Sequence, residues 1–285
     1  MAEYFALFAS LCFAVSHVLV RRGLVTSNSL TGSFISLTIS AITLWVMIPF
    51  FIPWSSFRSP AVWYFIAGGL FAPGLGRILS YMGIERIGLA RSVPITNSSP
   101  IFASILAVFL LGESWTLQNF AGTLLVFTGV GILSRSRTEQ REWHRLDLIY
   151  PVTAALVFGI SSNLRRLGLM VENLPLMGAA VTATTSLLFA LLMLQMQGGR
   201  RALKLPLRSF AWFFGAGVCN TASMLSVFYA LSSGKVVIVE PLVSTNPVLS
   251  ILLSAIFLRD LEAITSRALA AALCTVTGTI LVVTL

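Results

Sequence analysis

Pro94-Ile-Thr-Asn-Ser-Ser-Pro100 and Pro241-Leu-Val-Ser-Thr-Asn-Pro247 carry prolines at the same two positions, with small hydrogen-bonding side chains between them. The two stretches lie 147 residues apart. Keeping that offset, Glu113 falls on Asp260, Thr128 on Thr275 and Gly131 on Gly278. Nearer the start of each half, Phe13, Ser16, Arg21, Gly23 and Leu24 align with Phe158, Ser161, Arg166, Gly168 and Leu169. Trp63-Tyr-Phe-Ile-Ala-Gly68 matches Trp212-Phe-Phe-Gly-Ala-Gly217. The matches are collinear, so the chain reads as one unit written twice.

Composition says what solvent the units face. Hydrophobic residues make up 56% of the 285 and charged residues 10%, against about 25% charged in a soluble domain. A water-facing surface cannot be built from so little charge, whereas lipid-facing helices need none. The net charge of +9 sits in short clusters between apolar runs. Nucleic-acid binding needs a polar face to carry a basic stripe, and no such face exists here. Cys12, Cys219 and Cys274 each lie in an apolar run, without metal or redox spacing, and read as small packing residues.

About 20 apolar residues cross a bilayer. Polar and Pro/Gly-marked breaks predict spans over 4–20, 30–52, 61–83, 89–111, 116–134, 148–164, 175–196, 209–231, 236–258 and 264–284. The first run follows Met1-Ala2-Glu3, without the basic leader of a cleaved signal, and reads as a mature span. The expected organisation is a first five-helix repeat over 1–134, a basic linker over 135–147 and a second repeat over 148–285. Five is odd, so the second copy inserts upside-down relative to the first. Inverted repeats place a binding site near the midplane, where the halves meet.

Leu110-Leu-Gly-Glu113-Ser-Trp-Thr-Leu-Gln-Asn-Phe-Ala-Gly122, followed by Gly129-Val-Gly131-Ile-Leu, resembles the end of an EamA domain, the repeat unit of the drug/metabolite transporter superfamily. Phe257-Leu-Arg-Asp260 resembles the same element more loosely. The resemblance implies an all-α polytopic membrane protein, with ten transmembrane helices arranged as two inverted five-helix repeats around a central cavity, working by alternating access. It also implies cytoplasmic termini. The charge pattern points the other way: 13 Lys and Arg fall in odd-numbered loops and four in even-numbered ones (Arg58, Arg165, Arg166 and Lys235). Positive loops stay in the cytoplasm, which places both termini of this cell-membrane protein outside.

Pro94, Pro100, Pro241 and Pro247 kink helices four and nine, each freeing a backbone carbonyl. Such groups are tolerated where they face protein or a wet cavity. The tracts Asn97, Ser98, Ser99 and Ser244, Thr245, Asn246 therefore line the expected pathway, with packing kinks as the plainer reading. Glu240 lies within the hydrocarbon slab and is a candidate substrate ligand and proton carrier; a salt bridge to Lys235, Arg165 or Arg166 is the alternative. Arg77, after the helix-loosening Pro73-Gly74-Leu75-Gly76, and Tyr81 one turn on, join the cavity candidates, and a guanidinium there suits a carboxylate or phosphate. Arg91 is read equally as a snorkelling residue. Asn163, Asn220 and Tyr229 are further cavity candidates, each competing with a plain interhelical hydrogen bond. Glu113 and Asp260 read as caps at the start of the fifth helix of each unit.

No nucleotide-binding loop, metal cluster or nucleophilic triad is visible, so no catalytic residue, metal ligand or cofactor is expected. The reading is a secondary-active exporter of small polar metabolites such as amino acids, driven by a solute or proton gradient, with the lipid bilayer as surroundings. The rival is a carrier of phosphorylated solutes, nucleotide sugars or lipid-linked sugars. An intramembrane enzyme would need a catalytic set at one depth, and a receptor an effector domain; the sequence offers neither.

Overall fold

The computed structural model describes residues 1–23, 26–76, 95–134, 144–196 and 206–246, with shorter pieces at 79, 82–83, 199, 203, 248–249, 253 and parts of 270–281. Among these residues every regular element is helical and none is a strand. The helices are α1 (Ala2–Gly23), α2 (Ser29–Phe51), α3 (Ala61–Gly69), α4 (Ser99–Leu111) and α5 (Leu117–Ser134). After them come α6 (Ile149–Val171), α7 (Pro175–Met196), α8 (Leu207–Ser233) and α9 (Val236–Val243). Five of these regions, within α1, α2, α6, α7 and α8, are long and apolar enough to cross a bilayer unaided.

Local chemistry sets the helix ends. The Asn28 carboxamide accepts the backbone N–H of Thr31 (2.9 Å) and starts α2. Gly112 closes α4 in the left-handed region, φ 64°, where a side chain would be strained. Thr116 and Asn119 exchange side-chain and backbone bonds at the start of α5, as N-cap residues do. Glu113 is therefore not the cap of its own fifth helix. Its carboxylate accepts the N–H groups of Val236 (2.9 Å) and Val237 (3.1 Å), capping α9 in the other unit. The sixth helix also runs to Val171 instead of ending at 164, which puts Arg165 and Arg166 inside it.

The two units are interleaved. α1 packs along α8, and α3 along α6; exchanging the units turns the first pair into the second. Gly23 and Gly32 both face the Phe213 ring, with an added Cβ on Gly23 only 2.5 Å from Phe213 Cε1. In the other pair, Gly168 and Gly178 face Phe65, again with 2.5 Å between a Gly168 Cβ and Phe65 Cε1. Both rings are fully buried. Small residues let membrane helices approach this closely.

The direction of packing fixes the relation of the units. Phe5, near the start of α1, stacks on Tyr229 near the end of α8 (5.4 Å). Ser16 donates to the Ala216 carbonyl (3.1 Å) in mid-helix, and Gly23 at the end of α1 meets Phe213 near the start of α8. α3 and α6 run oppositely in the same way, with Ser161 donating to the Gly68 carbonyl (2.7 Å). First and third helices of one unit run in the same sense through a bilayer. Antiparallel pairing of a first helix with the other unit's third helix therefore means that the units are inverted.

Candidate functional site

The duplicated proline stretches form duplicated breaks. In the first unit, Ser98 donates to the Ile95 carbonyl through both N–H (3.1 Å) and Oγ (2.6 Å), and Ile101 N–H returns to the Ser98 carbonyl (2.9 Å). In the second, Thr245 does the same to Leu242 through N–H (3.2 Å) and Oγ1 (2.8 Å), and Val248 N–H returns to Thr245 (3.1 Å). Every partner is displaced by the sequence offset of 147. A three-residue step replaces the α-helical four-residue step at Asn97-Ser98 and at Ser244-Thr245. Pro241 lies inside α9 one turn before the second break, where it has no N–H for the carbonyl four residues back. Pro100 sits in the first turn of α4, where a missing N–H is harmless.

A small recess, with room for about one water, lies where the breaks meet; Asn97, Pro100, Thr123, Pro241 and Ser244 line it. Thr245 Oγ1 also shares a hydrogen bond with Ser10 on α1 (2.7 Å), so the second break is tied to the first unit. Asn246 Nδ2 donates to the Val243 carbonyl at the last turn of α9 (2.9 Å). Ser99 opens α4 beside the first break.

Glu240 lies one turn before the second break, and its carboxylate accepts the Ser162 hydroxyl of α6. Lys235 donates instead to Ser114 (2.9 Å). Among the described residues no cation lies within 4.0 Å of Glu240, although Arg165 is near enough to interact with it electrostatically. Arg165, one turn beyond Ser162, donates from NH2 to the Ala72 carbonyl (2.7 Å). Ala72 is where the third helix breaks, with extended φ −146° and ψ 131° before Pro73. Three interrupted helices thus present their polar seams around α6 and α9. Among the described residues no cluster of His, Cys, Asp and Glu could hold a metal ion.

The EamA-like transporter family model matches residues 1–135 and again 146–284. The chain belongs to that family. Membership makes this EamA-like protein a membrane transporter of small molecules by family. A crystal structure, described only as that of a protein, is 17% identical, covers 99% of this chain with 96% of its own length, and superposes with a TM-score of 0.83. At that identity it shows the shared fold alone. Among curated proteins none matches this sequence.

The remaining candidates of this EamA-like protein fall in different places. Asn163 is buried in α6 and donates to the carbonyls of Ala103 (3.0 Å) and Gly159 (2.9 Å), fastening α6 to α4. Asn220 donates to Ser36 Oγ (2.8 Å), joining α8 to α2. Tyr229, 38% exposed, stacks on Phe5 away from the breaks. Arg77, Tyr81, Pro94 and Pro247 lie outside the described residues, as do Arg91 and Asp260. Of the candidates, Asn97 and Ser244 share the recess, and Ser98, Glu240 and Thr245 lie within a turn of the two breaks. Sequence reasoning passed over Ser162 and placed Arg165 in a loop. Arg165 could have been found by noting that arginine and helix length are compatible when a broken neighbouring helix offers a carbonyl.

Proposed function

We propose that this protein is a secondary-active transporter that exports small polar metabolites such as amino acids by alternating access. The observation that carries the reading is the pair of matched helix breaks, one in each inverted unit, meeting at a small recess where Asn97, Thr123 and Ser244 lie among apolar side chains. Broken helices expose backbone groups to a solute at mid-bilayer, and a symmetric pair allows the same seam to open to either side. Glu240, one turn before the second break and hydrogen-bonded to Ser162, supplies a carboxylate suited to the amino group of a solute or to a coupling proton.

Helix boundaries put Arg165 and Arg166 inside α6, Arg21 and Arg22 inside α1 and Arg208 inside α8. The even-numbered loops thus lose two of their four assigned cations and the odd-numbered loops three of 13. That supports placing the odd-numbered loops in the cytoplasm and both termini outside. A reporter fused after Leu285 that matures only in the cytoplasm is expected to stay dark.

Proteoliposomes loaded with labelled amino acids are expected to show protein-dependent efflux. Silence across all twenty would defeat the amino-acid reading. If Glu240 couples protons, Glu240→Gln abolishes uphill transport and spares exchange; uphill transport at the wild-type rate would dismiss that role. Phosphorylated solutes and nucleotide sugars are the competing cargo. Inhibition of flux by these compounds, with amino acids inert, would turn the assignment to them.

A further inference from the structure

Several residues that hold the helices together recur in both units. Arg166 recurs as Arg21, Ser161 as Ser16, and the Gly168 socket as Gly23. Glu240 and Arg165 do not recur. At the offsets of 147 and 145 that align their surroundings, their counterparts are Val93 and Val20. Where the first unit has two valines the second has a carboxylate and a guanidinium, in segments where a charge is expensive and marks a pathway. The fold brings them to one place: Ser162 touches Glu240, and Arg165 lies one turn further along α6.

We propose that Arg165 and Glu240 form the two poles of a subsite for a zwitterion, the guanidinium receiving the carboxylate of an α-amino acid and Glu240 its ammonium group. The proposal rests on the transporter reading above and names the recognition chemistry of that same seam.

Three features support it. The first is that Arg165 has donor capacity to spare. NH2 holds the Ala72 carbonyl, the guanidinium lies 5.6 Å from the Phe228 ring centre, and Nε is buried without a partner. A planar guanidinium in that state suits a carboxylate. Arg166 also has an unpartnered Nε, but its head group is committed to the Leu231 and Ser232 carbonyls at the end of α8, and it recurs in the first unit. The second is that Arg165 and Glu240 do not form a direct pair within 4.0 Å, so binding a ligand with both charges need not break one. The third is charge balance. One cation and one anion sum to zero, and a zwitterion keeps the sum at zero, whereas an amine or an acid alone leaves an uncompensated charge inside the membrane.

Purified wild-type protein is screened with the twenty standard amino acids by thermal shift. The strongest binder is then compared with its own decarboxylated amine and its own deaminated acid. The wild type is expected to prefer the amino acid to either fragment by about tenfold or more, the worth of one hydrogen-bonded charge. Arg165→Gln is expected to bind amino acid and amine alike, and Glu240→Gln to bind amino acid and deaminated acid alike. If Arg165→Gln does not fold, Arg165→Lys carries the test, because lysine keeps the charge and loses the fork; its preference for amino acid over amine must drop. If the Arg165 variant weakens amino acid and amine by the same factor, Arg165 only fastens the Ala72 carbonyl and the subsite is refuted, with the transporter reading intact. If none of the twenty binds the wild type, the amino-acid reading fails and takes the subsite with it.

Discussion

Replacing Glu113 with alanine should loosen the first turn of α9, although Glu113 sits on the loop between α4 and α5. Its carboxylate holds the N–H groups of Val236 and Val237 at 2.9 and 3.1 Å, and both valines are fully buried. Loss of a helix cap costs about 0.5–2 kcal/mol, and a second buried amide left unpaired adds about 1–3 kcal/mol. Glu113→Ala is therefore expected to cost about 1.5–5 kcal/mol, lowering the unfolding midpoint in detergent by roughly 3–10 °C. Glu113→Gln keeps one oxygen as acceptor and should lose about half as much. Hydrogen exchange locates the effect: the amides of Val236 and Val237 should exchange faster in Glu113→Ala, whereas amides of α5, capped by Thr116 and Asn119, should not. Unchanged protection at 236 and 237, with an unchanged midpoint, would show that the carboxylate does not hold α9 in place.

The glycine sockets give a paired test by thermal unfolding. Gly23→Ala and Gly168→Ala each push a Cβ to 2.5 Å from a phenylalanine ring and should each cost about 1–3 kcal/mol. Gly131→Ala, in α5 with no atom within 4 Å of the added carbon, should be neutral or stabilising by about 0.5–1 kcal/mol; equal losses at all three sites would discredit the socket. At the breaks, Ser98→Ala removes one hydroxyl bond and should cost about 0.5–1.5 kcal/mol. Thr245→Val removes two, to Leu242 and Ser10, and should cost more in the same measurement.

The repeat was legible because it is written in residues whose chemistry is local. The matched stretches 94–100 and 241–247 are visible in the sequence, and the three-residue steps at Ser98 and Thr245 lie within them. Inversion was legible for a topological reason, the odd span count. Partners distant in sequence were not. Glu113 looks like a cap for the helix it precedes, since capping is normally local; nothing in its neighbourhood announces that α9, 123 residues on, needs its carboxylate. Arg165 and Arg166 look like the end of a span because arginine is usually excluded from lipid. Here the Ala72 carbonyl and the last carbonyls of α8 accept their protons instead. Asn163 and Asn220 show the same limit, since an asparagine in a span announces a hydrogen bond without naming its partner.

The Phe213 ring closes on Gly23, but 190 positions separate the two. Ribosomes add about 5–20 residues per second, so the glycine waits in the bilayer for roughly 10–40 s before its ring is made. During that interval the early helices stand side by side with unfilled notches, exposed to lipid and to other nascent chains. Misassembly by borrowing a ring from a neighbouring copy is thus a hazard of synthesis itself, greatest when expression is fast.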